Sequence, residues 1–209
     1  MNGNTGRNGY ETLPPCTLLN PTPVVLVSCA EKDHPERRNL VTAAWAGTVN
    51  SEPPMVSVSL RKERFSHAMI RDSEEFVVNL ADEGMCRAVD FCGVRSGRDL
   101  DKAEAAGIRY RPAEKMRFAP AADGAPLSLS CRVRQIIPLG SHDLFLGRVE
   151  QVGVKPEMMD EAGRIDYGKM RLAAYNHGNY YALGEALGFF GYSVAAPDVL
   201  ERRMKQLRG

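Results

Sequence analysis

The chain has 209 residues, 44% of them apolar and 25% charged, and a formal net charge of +1. That balance fits one globular domain with appendages and argues against a nucleic-acid surface, which carries a strongly basic face. No apolar run approaches the roughly 20 residues of a membrane span, and the polar N-terminus has no apolar signal core, so a cytoplasmic location is expected.

Residues 1–13, rich in Gly and Asn, read as a flexible arm, followed by a domain over 14–195 and a helix over 196–209. Thr22 to Ala30 is an apolar, β-branched run and predicts a buried strand. The charged segment EKDHPERR, with its proline, predicts a solvated hairpin loop.

The informative stretch runs from Asn39 to Ser66, in two halves joined by a turn at Pro53-Pro54. Asn39 to Val49 collects Thr, Ala and Gly around Trp45, the only tryptophan. Small side chains let a backbone approach a flat ligand and leave N–H groups free to donate to it. From Met55 to Arg61 the pattern has period two. Val56, Val58 and Leu60 face one way, Ser57, Ser59 and Arg61 the other. Beyond lies a short helix, with Ser66 as the candidate N-cap. A helix start offers free N–H groups and a positive dipole end, and Arg61 and Arg64 add guanidinium forks suited to phosphate. Spacing alone leaves both readings open: the arginines fit a phosphate seat or a solvated face, and Trp45 fits a ligand platform or the core.

Glu75 to Leu80 predicts another strand. Ala81 to Cys92 has helical spacing, with Met85, Val89 and Cys92 on one face. Gly93, Ser96 and Gly97 mark a mobile or tightly turned loop. Asp99 or Asp101 is placed to cap a helix through Ala105, with Gly107 as its stop. Residues 111–126 show no periodicity and are expected on the surface. Leu127 to Gly140 and His142 to Val154 predict a long β-hairpin with one wet face, turning at Gly140-Ser141. After Lys155, short helical and loop pieces are expected, with a Gly/aromatic patch near the end. Pro197 to Arg208 reads as a terminal helix with Pro197 at its start.

The five cysteines, Cys16, Cys29, Cys86, Cys92 and Cys131, are odd in number and form no CxxC pair, which predicts free thiols. The four histidines, His34, His67, His142 and His177, form no metal spacing. Strands come in runs rather than alternating with helices, which favours an antiparallel barrel with helical insertions. No GxGxxG follows a strand, so a nicotinamide cofactor would be held without a Rossmann domain.

The blocks NLVTAAW, PPMVSVSLRKERFSHAMI, EFVVNL, CGVRSGRDLDK, GSHDLFLGRV and HGNYYALGEALGFFGYS, in this order, resemble the flavin reductase-like family, in its flavoredoxin branch. The likeness covers Pro21 to Val194. It implies a six-stranded antiparallel Greek-key FMN-binding split barrel, a homodimer, and bound FMN. It further implies an oxidoreductase, with NAD(P)H as electron donor and an unidentified electron acceptor. Carried over by position, Asn39, Thr42, Ala43, Ala44 and Trp45 correspond to the segment lining the isoalloxazine. Ser59, Arg61, Arg64 and Ser66 correspond to the segment holding ribityl and phosphate. Lys102 and His142 correspond to positions near the flavin. The chain departs from the family pattern at Ala103, where many relatives have Phe, and at Phe65-Ser66, where Ser66 keeps the hydroxyl. Apart from the likeness, Cys29 and Cys131 read as core thiols rather than redox partners, and Tyr175, His177 and the Tyr180-Tyr181 and Phe189-Phe190 pairs read as packing rather than flavin stacking.

Overall fold

Valine- and leucine-rich runs form the scaffold in the computed structural model, which describes residues 9–208. The described residues form twelve strands and four α-helices. The strands are β1 (Thr22–Pro23), β2 (Val25–Ala30), β3 (Arg38–Ala43), β4 (Ala46–Ser51), β5 (Pro54–Arg61), β6 (Glu75–Leu80), β7 (Tyr110–Arg111), β8 (Ala121–Ala122), β9 (Leu127–Pro138), β10 (His142–Val154), β11 (Ala173–Asn176) and β12 (Asn179–Ala182). Helix α1 (Phe65–Ser73) joins β5 to β6, α2 (Cys86–Val94) and α3 (Lys102–Ala105) lie between β6 and β7, and α4 (Pro197–Arg208) ends the chain. Of the expected N-terminal arm, residues 1–8 lie outside the described residues.

The main sheet has seven strands in the order β3-β2-β6-β9-β10-β5-β4, all antiparallel. This corrects the expectation of six. The extra strand comes from a break at Ala44-Trp45, which divides the Asn39–Ser51 run. β3 then pairs with β2 and β4 with β5, at opposite ends of an open strand order. The sheet curls so that Val27 and Val41 from one end share a core with Val56, Val58 and Leu60 from the other, around Phe76 and Phe145.

Alternation decides which face each residue takes. On β5, Val56, Val58 and Leu60 are buried while Ser57 and Ser59 are only partly so. β2 is buried on both faces. Val25, Val27 and Cys29 enter the central core, and Leu26 packs under α2 and α3 with Val89, Cys92 and Ala103. Such two-sided burial is why β2 reads as a continuous apolar run.

Three local expectations are corrected. Residues 111–126 are not a surface segment: Ala113, Ala119, Ala121, Ala122 and Ala125 are buried. Alanine carries little hydropathy contrast, so no period showed. The segment is anchored from a distance by the buried Glu75, whose carboxylate accepts the backbone N–H groups of Arg117, Phe118 and Ala119 at 2.9, 2.8 and 3.3 Å. The region after Lys155 contains the hairpin β11–β12, turning through His177 (φ 44) and Gly178 (φ 104). Two successive left-handed residues suit a tight hairpin, and glycine takes the second without penalty. Finally, Ser66 is not the cap of α1. Arg64 is the N-cap residue, and Ser66 lies inside the first turn, fully buried.

Candidate functional site

Two cavities open where the curled sheet meets α1, α2 and the β11–β12 hairpin. The first has a volume of about 460 Å³, within the range of small-molecule sites. Its floor is the end of β3 and the Ala44-Trp45 break. Its walls are Ser59 and Arg61 of β5, His142 of β10, and the α2 face carrying Asp90 and Gly93. Tyr175, His177 and Tyr180 close one side. The second cavity, also about 460 Å³, collects Asn39, Ser66, Arg95, Gly97, Arg98 and Lys102. The two share Val41, Arg61 and Arg64, so they are adjoining chambers with a common wall.

The β3 end is shaped for a flat ligand. Thr42 points its hydroxyl into the α2 backbone, donating to the Val89 carbonyl, and Gly93 lies beside it, where a Cβ would make ordinary contact with Thr42 at 3.4 Å. Ala43 and Ala44 add little bulk. Trp45 is 44% exposed, so it is no core residue, and its ring lies 4.6 Å from the His142 ring, tilted by 45°. The Ser141 hydroxyl is 2.9 Å from His142 Nδ1. Burial, and then the positive charge of Arg61 and Arg64, lowers the His142 pKa below its ordinary value of 6.5. The imidazole is therefore neutral at pH 7 and offers one N–H donor without adding charge.

The adjoining chamber is cationic. Arg61, Arg64, Arg95, Arg98 and Lys102 line it against one acid, Glu63. Several of these groups are already fixed in place. Arg64 Nη1 donates to the Gly93 carbonyl at 2.9 Å, and Arg98 Nη1 donates to the Glu63 carbonyl at 2.9 Å while its guanidinium lies 5.3 Å from the Phe65 ring centre. Lys102 is 3% exposed. Its ammonium donates to the carbonyls of Cys92 and Arg95 at 2.9 and 3.3 Å, at the C-terminal end of α2 where a cation is favoured. Burial lowers its pKa. Two of its three N–H donors are thus used, leaving one for a ligand. No side chain caps the α1 N-terminus among the described residues; the His67 N–H donates to the Arg64 carbonyl at 2.9 Å, which leaves those of Phe65 and Ser66 for an anion.

Thr42, Ala43, Ala44, Trp45, Ser59 and His142 therefore come together at the first chamber, Asn39, Ser66 and Lys102 at the second, and Arg61 and Arg64 at both. Asn39 stands apart from Thr42–Trp45, with which the sequence grouped it. Its side chain is buried and turned toward Ser66. Cys29 and Cys131 are buried, their thiols pushed up to about 12 by burial. Sequence reasoning missed Arg95 and Arg98, although the SGRD block that holds Arg98 was visible. It also missed Asp90, which accepts the Tyr180 phenol at 3.0 Å. Burial and this carboxylate push the Tyr180 hydroxyl up to about 12, so the phenol stays a donor.

A curled antiparallel sheet with a flat-floored chamber and a cationic annex defines a flavin-binding split-barrel protein. The chain matches the family described as "Flavin reductase like domain" over residues 18–184, and it belongs to that family. It is similar to the flavoredoxin of Desulfovibrio vulgaris (Miyazaki F), with 30% identity, 86% of this chain and 96% of that one covered, and a TM-score of 0.80. Flavoredoxin from Methanosarcina acetivorans follows, with 25% identity, coverage of 88% and 98%, and a TM-score of 0.79. An FMN-binding protein from Thermus thermophilus, also 25% identical with coverage of 88% and 98%, has a TM-score of 0.73. The likeness falls in the flavoredoxin branch, and the chain has a flavin-related redox function.

Proposed function

We propose that this chain binds FMN and is an oxidoreductase that moves electrons from NAD(P)H through the flavin to an acceptor. One observation carries it: Arg61 and Arg64 lie on the wall shared by a chamber suited to a flat ring and a chamber suited to a phosphate. FMN is a flat ring joined to a phosphate, and the residues present fit both parts. When bound, FMN supplies the two-electron chemistry that no side chain here can supply.

The protein's part is to bind, orient and set charge. Arg61, Arg98 and the open α1 N-terminus anchor the phosphate. Lys102 adds a buried positive charge beside it. Ala43, Ala44 and Trp45 support the ring. His142, neutral and packed beside Trp45, donates an N–H toward the ring's polar edge without adding a charge. Such fixed donors stabilise charge that develops on the cofactor.

A second reading is an FMN-bound electron carrier with no NAD(P)H activity of its own, favoured by the similarity to flavoredoxins. Purified protein is expected to be yellow, and anaerobic NADH or NADPH is expected to bleach it. Yellow protein that neither nucleotide bleaches would decide for the carrier. In either case the chain works as a homodimer. Leu183, Leu187, Phe190 and Val194 are each more than half exposed, an apolar stretch that a second copy would cover. Light scattering should return twice the chain mass at micromolar concentration; a single chain mass would overturn the dimer.

A further inference from the structure

A third cleft, of about 280 Å³, shares no residue with the two flavin chambers. It lies between Pro35 of the β2–β3 loop with Arg38 at the start of β3, and the β7–β8 segment, through Tyr110, Arg111, Arg117 and Phe118. Three features set its chemistry.

The first is charge. Arg38, Arg111 and Arg117 line the cleft, and none has a carboxylate within ion-pair distance among the described residues. Elsewhere Arg37, Arg109, Arg132 and Arg148 each pair with an acid. The second is placement. Arg38 lies 5.6 Å from the Tyr110 ring centre and Arg117 5.0 Å from that of Phe118. Stacking uses the guanidinium face; the Arg38 Nε donates to the Pro35 carbonyl at 3.3 Å, and its Nη groups are left for a ligand's oxygens. Arg111 is held by a bond from Nη2 to the Ser128 hydroxyl at 2.7 Å. The third is rigidity. The wall at 117–119 is pinned by the buried Glu75 carboxylate, which Arg132 also contacts at 3.2 Å. Pro35, Pro112 and Pro120 stiffen the rest. A site whose donors are already ordered loses less entropy on binding.

We propose that this cleft is a second ligand site, for a phosphate ester carried on a flat ring and of nucleoside-monophosphate size. Converging guanidinium groups suit a phosphate, and the volume, just below the usual range for small-molecule sites, limits the ligand to a compact molecule. The guanidinium faces turned away from Tyr110 and Phe118 give a flat group a surface to stack on. A carboxylate side chain of a protein partner would engage one arginine and leave those faces unused.

The test is calorimetric titration of AMP into the full chain saturated with FMN, so that the flavin chambers are filled, and again without FMN. Saturable binding with a dissociation constant below about 1 mM is expected in both. Arg38→Gln and Arg117→Gln, on separate elements, should each weaken AMP by about tenfold or more while leaving FMN affinity unchanged. Adenosine and inorganic phosphate should each bind far more weakly than AMP. The proposal is overturned by several outcomes. One is no saturable binding up to about 10 mM. Another is AMP binding that excess FMN displaces, or that Arg61→Ala abolishes and the two Gln variants do not, since AMP would then occupy the flavin chambers. Inorganic phosphate binding as tightly as AMP removes the ring from the assignment, and an oligoglutamate peptide binding more tightly than AMP replaces the nucleotide with an acidic protein partner.

Discussion

The carboxamide of Asn39 donates to the buried hydroxyl of Ser66 across 2.8 Å. This bond joins β3 to the first turn of α1, and both elements line the cationic chamber. On its other side, the Asn39 carboxamide oxygen faces Gly97, where an added Cβ would come within 2.2 Å of it. The loop carrying Arg95 and Arg98 can close on Asn39 only because residue 97 has no side chain. Asn39 is therefore the post against which the phosphate chamber is assembled.

Asn39→Ala leaves the Ser66 hydroxyl buried without its donor. A cost of about 1–3 kcal/mol is expected, measured as a lower urea midpoint with unchanged slope. Gly97→Ala forces the loop off Asn39. It is expected to weaken FMN by about tenfold or more and riboflavin far less, as read by flavin fluorescence titration. Equal weakening of both flavins would place the loop's contact on the ring.

Gly147, on β10, is a separate case. An added Cβ there would meet Phe76 at 2.4 Å and Cys131 at 3.1 Å. Phe76 is fully buried in the central core, so it has little room to yield. Gly147→Ala is expected to destabilise the fold by about 1–3 kcal/mol through overpacking. Flavin affinity should not change, because this part of the core lines neither chamber. A neutral effect on the urea midpoint would mean that Phe76 is looser than its packing indicates.

How legible these relationships were in the sequence depended on side-chain contrast. β2, β5, β6 and the β9–β10 hairpin were readable because β-branched residues repeat there or alternate with polar ones. The Asp101 cap was readable because its carboxylate accepts the N–H groups of Ala103 and Glu104, as helix starts require. The division of Asn39–Ser51 into two edge strands was not, since Ala, Gly and Thr give no period from which a break can be seen. The anchoring of residues 117–119 was invisible for another reason: its partner, Glu75, is more than forty positions away. The cationic chamber fell between these cases. Arg61 and Arg64 were local to a strand and a helix start, whereas Arg95 and Arg98 reach it only through the fold.

The His142 imidazole should make stability depend on pH. Its folded pKa lies below the ordinary 6.5, through burial and then Arg61 and Arg64. As pH falls below about 6.5, the unfolded chain takes up the proton before the folded one does. This contribution is fully present above that pH and is lost on acidification toward the folded pKa. His142→Gln should therefore show a shallower fall in urea midpoint across that window than the parent. Parallel curves for the two proteins would place the His142 charge elsewhere in the balance.

Trp45 reports on the ring chamber directly. It is the only tryptophan, lines the chamber and lies against His142 with its ring tilted by 45°. Adding FMN to flavin-free protein should quench its emission strongly, and in Trp45→Phe no such signal should remain. Unchanged emission with FMN bound would put the isoalloxazine away from β3.

The central claim, that the two chambers hold one flavin with its phosphate on the Arg61 side, is tested most directly by comparing FMN and riboflavin dissociation constants for the parent and Arg61→Ala. Arg61 is suited to this because its pairing with Glu63, at 3.6 Å between exposed groups, contributes little to the fold. The parent should bind FMN at least about tenfold more tightly than riboflavin, as one well-made charged contact gives. In Arg61→Ala that preference should shrink, with riboflavin affinity held within about twofold. Equal affinity for the two flavins in the parent, or an equal loss of both in the variant, would contradict the account.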